Sequence, residues 1–216
     1  MTKQERIEKQ KIRLVEMKEH EEALHEEGYE LVAGVDEVGR GPLAGPVVTA
    51  AVVLPPDFDV LGVDDSKKLS EKRREELFEV IKEKAVAYGI GMADESVIDD
   101  INILQATKQA MISAIEELSG KLGKKPDYVL FDAMEIPQVE IPQESIIKGD
   151  SKCIAIAAAS ILAKVTRDRM MVEYAKEYPG YAFEKNKGYG TKAHYEGIHE
   201  HGICPIHRKT FLKKMH

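Results

Sequence analysis

The chain has 216 residues, of which 43% are hydrophobic and 32% charged, and this globular composition excludes a disordered or low-complexity protein. No window approaches ~18 consecutive apolar residues, which excludes a membrane-spanning helix, and the charge-dense first thirty residues argue against a secretory signal peptide. The two cysteines, Cys153 and Cys204, are far apart and form no C-x-x-C pair, so we expect a reduced, cytoplasmic protein without a membrane partner.

The net charge of −7 is unevenly distributed along the chain. Residues 1–147 hold 18 Lys and Arg against 31 Asp and Glu, whereas residues 148–216 hold 13 against 7. A basic final third is typical of a surface that binds phosphates, although solvated helix faces also vary in charge.

The first half of the chain is predicted to hold one helix and a strand hairpin. Residues 2–27 form a polar helical stretch with a thin apolar stripe, and Gly28 ends it. This helix either packs on the main domain or projects from it. Residues 31–36 suit a buried strand, residues 39–46 are dense in turn residues, and residues 47–54 suit a second strand paired with the first.

The second half alternates helices and strands. We predict a helix over 70–84, a strand over 86–92, an amphipathic helix over 99–118, and strands over 128–132 and 145–149. A long Ala/Ile-rich helix follows Asp150, and short helices around a loop are expected after Pro179. The order indicates an α/β domain (30–178) with an N-terminal helical extension (1–29) and a C-terminal helical region (179–216).

Four acids stand at the ends of apolar stretches, namely Asp36, Glu37, Asp132 and Asp150. Strand ends of an α/β sheet are where ligand sites gather, and a hard divalent cation offsets the repulsion between converging carboxylates. Oxygen-only ligands favour Mg²⁺ or Mn²⁺, and two such ions about 4 Å apart catalyse phosphodiester hydrolysis.

Each acid also has a structural interpretation. Asp150 is a potential helix N-cap, and Asp132 can end a strand and start a turn. Adjacent residues of a regular strand face opposite ways, so Asp36 and Glu37 serve one site only if the backbone bends there or Glu37 contributes from another angle.

The run Gly34-Val-Asp-Glu-Val-Gly-Arg-Gly-Pro-Leu-Ala-Gly-Pro46 strongly resembles the signature of bacterial ribonuclease HII. The resemblance continues through residues 65–70, 130–132, 148–164, 188–192 and 201–202, and so covers residues 30–212 in order. It implies a ribonuclease H-like fold, in which a five-stranded mixed sheet flanked by helices forms the catalytic domain (30–178). A C-terminal helical region (179–216) would bind substrate, and the helix over 2–27 is an addition. It also implies incision 5′ to a ribonucleotide in RNA–DNA hybrids or in DNA, leaving 3′-hydroxyl and 5′-phosphate ends.

The same resemblance assigns site residues. Asp36, Glu37, Asp132 and Asp150 match the family's catalytic and metal-binding acids. Residues 39–41, which are Gly39, Arg40 and Gly41, match the motif that senses the 2′-hydroxyl, and Tyr189 matches the tyrosine that packs on the following deoxyribose. Glycines permit a close approach to a sugar, and the 2′-hydroxyl distinguishes RNA from DNA.

Further residues are candidate contacts to phosphate, and three alternatives stay open. The candidates are Lys67, Lys68, Thr191 and Lys192, for which a solvated surface role is equally plausible. Residues 39–41 also suit a plain hairpin turn, and Tyr189 also suits an anchor for its Gly-rich loop.

Other functions compete with this assignment. The sister type, ribonuclease HIII, carries serine where Arg40 stands. A hybrid-binding protein without activity would not need all four acids, and a metal-binding structural protein leaves the glycine turn unexplained. We therefore predict a two-metal ribonuclease HII, acting as a monomer.

Overall fold

Two apolar runs joined by a glycine-rich turn form the centre of the sheet. Strands β1 (Val32–Val38) and β2 (Val47–Val53) pair antiparallel in an unbroken register. All seven residues of β2 are buried. Such continuous burial explains the near-continuous Val and Ala of the sequence, since a strand covered on both faces does not alternate with polar residues. The predicted hairpin is confirmed.

Three more strands complete the sheet in this computed structural model, which describes residues 2–213. They are β3 (Ala87–Ala93), β4 (Tyr128–Asp132) and β5 (Gln143–Ile146). The order is β3-β2-β1-β4-β5, in which β2 and β3 pair antiparallel while β4 runs parallel to both β1 and β5. The predicted five-stranded mixed sheet is confirmed.

Helices cover both faces of the sheet. The long helix α4 (Ile154–Glu177) lies on one face, together with α1 (Lys3–Glu26) and α2 (Glu71–Lys84), and α3 (Glu95–Leu122) lies on the other. Helix α4 reaches β1 closely because Gly34 has no side chain. A Cβ at that position would lie 2.2 Å from the carbonyl carbon of Ala155.

Helix α1 packs on the domain rather than projecting from it. A capping box between Thr2 and Glu5 begins the helix, as expected for a Thr followed three residues later by Glu. Met17 and Leu24 are buried in the core that α1 shares with α4. Burial of these two side chains fixes the helix against the sheet domain.

Helix α3 departs from the prediction. It begins at Glu95 with Asp94 as its N-cap, four residues before the predicted start, and it is interrupted at Asn102, which has φ 70° and ψ 162°. The Asn102 carboxamide oxygen accepts hydrogen bonds from the amides of Leu104 and Gln105 at 3.0 and 3.2 Å. Asn102 therefore caps a second helical segment, and the apolar periodicity concealed the interruption.

Strand β5 lies earlier than predicted. The strand ends at Ile146, because Lys148 adopts a left-handed conformation (φ 59°) and a 3-10 helix spans Gly149–Ser151. Asp150 lies inside that 3-10 helix, and the N-cap of α4 is Cys153. The interpretation of Asp150 as the cap of the long helix is therefore wrong.

The C-terminal segment holds three short helices, α5 (Phe183–Asn186), α6 (Lys192–His201) and α7 (Lys209–Leu212). It closes on the β1–β2 connection through an antiparallel bridge between Ala44 and His207. Across residues 2–213, none of the helices has the length and apolarity needed to cross a membrane.

Candidate active site

Asp36 and Asp132 are brought together by strand pairing. Strands β1 and β4 run parallel with Val35 opposite Phe131, so the next residue of each strand is an aspartate. Val32 and Leu130 belong to the core on the α4 side, and the two-residue period of a strand puts both aspartates on that same face. One face and one sheet edge thus hold two carboxylates.

Asp150 joins them from the turn before α4. The Asp132 carboxylate accepts a hydrogen bond from the amide of Gly149 at 2.8 Å, which attaches this turn to the end of β4. Oxygen atoms of Asp36, Asp132 and Asp150 all lie within 4.8 Å of one another. We call this set the three-acid cluster. Among residues 2–213, no other group of acid, His or Cys side chains converges in this way.

The three-acid cluster is electrostatically strained in the absence of a cation. Burial raises the pKa of Asp36 well above its ordinary value, and the charges of Glu37 and Asp132 raise it further. Burial, with a contribution from Asp150, also raises the pKa of Asp132. The Lys67 ammonium lies 3.2 Å from Asp150 and partly balances the negative charge. Such a site favours a bound cation.

Glu37 is not one of the three acids whose oxygens converge, but its charge acts on them. The register of β1 and β2 is regular through Val38, so Glu37 starts from the face of β1 opposite Asp36. Even so, the charge of Glu37 raises the pKa of Asp36, and the charge of Asp132 raises the pKa of Glu37. Its Oε1 is 3.3 Å from Arg40, and its buried Oε2 has no hydrogen-bond partner in the described chain. Burial is the main cause that raises the pKa of Glu37, and Arg40 opposes it.

The connection between β1 and β2, residues 39–46, is here called the glycine loop. Gly39 is buried with φ +93°, whereas Arg40 and Gly41 are exposed. A Cβ at Gly41 would lie 3.6 Å from Cε1 of Tyr189, whose side chain is 44% exposed. The structure therefore brings the loop and Tyr189 together at the surface, with aromatic area left open.

The other predicted contacts lie around this surface. Lys67 contacts Asp150, and Lys68 lies 3.0 Å from the Ser151 hydroxyl. Thr191 caps α6 by accepting a hydrogen bond from the His194 amide at 3.4 Å. The Lys192 side chain is 90% exposed and lies 3.6 Å from Glu196. The Thr191 side chain is thus used to cap α6, whereas the Lys192 side chain is exposed enough to contact a ligand.

Comparison with known proteins gives the family. A model of the ribonuclease HII family matches residues 33–216. The ribonuclease HII of Enterococcus faecalis is 61% identical over 196 residues, which cover 91% of this chain and 75% of that relative. The ribonuclease HII of Bacillus thuringiensis is 58% identical over 207 residues, which cover 96% of this chain and 79% of that relative.

The chain belongs to the ribonuclease HII family.

Membership in the ribonuclease HII family is matched by the fold. The crystal structure of ribonuclease H2 from Pyrococcus horikoshii is 29% identical and has a TM-score of 0.68, over 83% of this chain and 93% of that one. The ribonuclease H-like fold is confirmed, and the chain is a ribonuclease H, an enzyme of the family that cleaves the RNA of RNA–DNA hybrids.

Sequence reasoning missed two residues beneath the glycine loop of this ribonuclease HII. The Arg167 and Arg208 side chains are fully buried and donate hydrogen bonds to carbonyl oxygens of the loop. For Arg167 a signal existed, because it lies one helical turn from both Ala163 and Met171 on the buried face of α4. A charge on an apolar helix face needs polar partners from elsewhere in the fold.

Proposed function

We propose that this ribonuclease HII incises RNA–DNA hybrids, and duplex DNA containing single ribonucleotides, on the 5′ side of the ribonucleotide. The products would carry 3′-hydroxyl and 5′-phosphate ends. The observation that carries this proposal is the three-acid cluster, which lies at the sheet edge near an exposed glycine loop and Tyr189. One chain supplies all of these groups, in keeping with action as a monomer.

Divalent metal ions fit the donor set. Three carboxylates whose oxygens lie within 4.8 Å of one another, in a buried setting, match the oxygen ligands that Mg²⁺ and Mn²⁺ prefer. Within the described residues, the buried Oε2 of Glu37 accepts no hydrogen bond, so it is available as a further oxygen ligand. Two bound ions would supply the polarisation of the attacking water and the stabilisation of the leaving oxygen.

The chain's own residues have separate tasks in this proposal. Asp36, Asp132 and Asp150 would hold the metal ions, and Glu37, whose charge already acts on Asp36, would supply a further oxygen. Lys67 is 75% exposed while it contacts Asp150, so its ammonium can turn to a phosphate of the substrate once a cation has taken its place. Lys68 and Lys192 contact the phosphate backbone of the nucleic acid, and such contacts do not depend on the base sequence.

Substrate discrimination is assigned to the loop and the aromatic ring. Arg40 and Gly41 are exposed and their backbone can approach a ribose closely, as reading of a 2′-hydroxyl requires. Tyr189 packs at the same surface and would lie against the sugar of the next nucleotide. A flat ring accommodates a deoxyribose more readily than a bulkier ribose.

The test is cleavage of a labelled DNA duplex that contains one ribonucleotide, in Mg²⁺, Mn²⁺ or EDTA. The proposal expects one cut 5′ to the ribonucleotide in both metals and none in EDTA. Cleavage restricted to a continuous RNA strand in a hybrid would contradict the incision of single ribonucleotides. Metal-independent cleavage would contradict the proposed mechanism.

A further inference from the structure

Two buried guanidinium groups lie under the glycine loop without a carboxylate partner. The side chains of Arg167 and Arg208 are both fully buried. No carboxylate among residues 2–213 lies within 4.0 Å of either group, although fifteen other Lys and Arg side chains of the described chain form such pairs. Burial of a charge without a counter-ion is costly unless hydrogen bonds replace its hydration.

Backbone carbonyl groups supply those hydrogen bonds. Arg208 donates to the carbonyl oxygens of Gly39 at 2.6 Å, Arg40 at 2.9 Å and Gly45 at 2.7 and 2.9 Å. Arg167 donates to Pro46 at 2.9 Å and to Ala44 at 3.0 Å. The two side chains together hold five carbonyl groups of one loop of eight residues.

The contacts of Arg208 determine where the loop amides point. A trans peptide group is planar, so its carbonyl and its N–H point in opposite directions. Because the carbonyls of Gly39 and Arg40 turn inward to Arg208, the amides of Arg40 and Gly41 turn outward. Within the described chain neither amide donates a hydrogen bond, and both residues are exposed. Arg208 thus presents two free donors at the surface.

The contacts of Arg167 connect the glycine loop to the segment of Tyr189. Its third hydrogen bond, at 2.8 Å, goes to the carbonyl of Lys187, and the amide of Leu43 donates to Gly188 at 2.8 Å. Arg167 also lies directly beneath Gly39, where a Cβ would be 2.2 Å from its Nε. One side chain therefore sets the separation between the loop and the segment that carries the tyrosine.

We propose that Arg167 and Arg208 are positioning residues that determine sugar specificity. Arg208 fixes the two outward amides against the 2′-hydroxyl of the ribonucleotide, and Arg167 fixes the spacing from that hydroxyl to Tyr189. This inference rests on the proposed function. Neither arginine touches the substrate, and neither contributes to the metal ligands. Their replacement should therefore change the ratio in which the two sugars are selected, a quantity that a loss of stability alone does not change.

The experiment for Arg208 measures a ratio of specificities. Wild type and Arg208→Lys are each given a mixture of two competing duplexes. One duplex contains a single 2′-hydroxyl nucleotide, and the other contains at the same position a 2′-fluoro nucleotide, whose fluorine is a poor hydrogen-bond acceptor. Lysine keeps the charge but cannot hold three carbonyl groups in one plane. The ratio of kcat/KM for the hydroxyl duplex to kcat/KM for the fluoro duplex should be about tenfold lower in Arg208→Lys than in wild type. A change of this size is expected for loss of one or two well-placed hydrogen bonds.

The experiment for Arg167 uses a different pair of substrates. Wild type and Arg167→Lys are each given a mixture of two competing duplexes. In the first duplex the ribonucleotide is followed by a deoxyribonucleotide, and in the second it is followed by another ribonucleotide. The preference for the first duplex should fall several-fold while the ratio of hydroxyl to fluoro substrates changes less. Arg169→Lys is the matched control on the same helix, because Arg169 is exposed and pairs with Glu75 and Glu79. It should leave both ratios unchanged.

The outcomes separate specificity from stability. A ratio measured in one mixture does not depend on the folded fraction, so a purely structural arginine would lower both rates equally and leave the ratio intact. That result, or a variant with no folded protein, overturns the proposal for that arginine. Wild-type protein that does not cleave at the ribonucleotide overturns the proposed function itself and this inference with it.

Discussion

At the scale of single residues, the three-acid cluster is held by groups that cannot separate to relieve repulsion. Asp36 and Asp132 follow a paired rung of β1 and β4, and the Gly149 amide binds Asp132 at 2.8 Å. Paired strands are stiff, so the carboxylates cannot move apart. Burial first, and the neighbouring acidic charges second, raise the pKa values of Asp36 and Asp132. Converging buried carboxylates reduce stability at this sheet edge, and they favour the binding of a cation there.

Asp132→Asn tests whether this carboxylate lowers stability and is at the same time needed for activity. Asparagine keeps the acceptor for Gly149 and removes one of the repelling charges. In EDTA we expect the variant to have a Tm higher than wild type by about 2 °C, roughly 1 kcal/mol for a chain of this size. In Mg²⁺ its turnover should fall by about 100-fold or more. Thermal unfolding and duplex cleavage measure the two effects.

The control is Asp57→Asn, an exposed acid outside the site. It should change neither the Tm in EDTA nor the turnover. Wild-type protein should gain Tm when Mg²⁺ or Mn²⁺ is added, because a ligand that binds the native state stabilises it. An equal gain in Asp132→Asn would argue against Asp132 as a metal ligand.

At the scale of elements, α1 supports the start of α4 and the turn of Asp150. Glu21 of α1 accepts hydrogen bonds from the Ala155 amide at 2.7 Å and from the Cys153 thiol at 3.3 Å. It therefore caps α4 from a distant position, since Cys153 supplies no side-chain cap of its own. Arg13 of α1 donates to the Ser151 carbonyl, one residue from Asp150, and pairs with Asp64 at 3.1 Å.

Glu21 also predicts a pH dependence of stability. Burial raises its pKa from 4.5 to about 7, so the folded state keeps a proton that the unfolded state releases. Its contribution to stability is fully present below pH 4.5, declines as the pH rises towards 7 and is lost above that. Glu21→Gln keeps an acceptor without ionising. It should match wild type near pH 5 and be more stable at pH 8, by about 3 kcal/mol at most.

Denaturant unfolding of wild type and Glu21→Gln from pH 5 to 8 measures this difference. The raised pKa values of Asp36 and Asp132 are common to both proteins, so the difference between the two proteins reports on Glu21. Glu26→Gln, an exposed substitution on the same helix, is the control and should follow wild type at every pH. If the difference in stability between wild type and Glu21→Gln did not vary with pH, a raised pKa of Glu21 would be contradicted.

At the scale of the whole molecule, charge is unevenly distributed between residues 1–147, which are acidic, and residues 148–216, which are basic. The net charge is −7, yet residues 148–216 are basic and include the segment from Tyr189 to Lys192. Binding of a polyanion depends on local charge near the contact, because other charges are screened beyond about 8–10 Å at ordinary ionic strength. An acidic protein can therefore bind nucleic acid through one face.

Lys192→Ala tests whether that face contacts phosphate. The side chain is 90% exposed, so its removal should leave the Tm unchanged. KM should rise at low salt, and the slope of log KM against log salt should decrease by about one unit for one lost phosphate contact. Lys124→Ala is the control, since this exposed lysine precedes β4 at the sheet edge opposite Asp132. An unchanged slope in Lys192→Ala would place the phosphates elsewhere.

The sequence by itself determined the elements and the family. Local patterns suffice for this, because apolar period, capping residues and turn residues act within a few positions. Strand β4 has the predicted bounds, and Ser70 caps α2 by accepting from Arg73 at 3.3 Å. Local patterns failed where a single side chain overrode them, as at Asn102 within α3.

Only the tertiary structure decided how the candidate site is arranged. Parallel pairing of β1 with β4 puts Asp36 and Asp132 side by side on one face of the sheet, and the periodicity of the sequence does not specify which strands pair. Arg208 reaches the carbonyl of Gly39 across 169 positions of sequence. Such contacts depend on which surfaces the packed helices bring together. The pattern of neighbouring residues along the chain does not specify that packing.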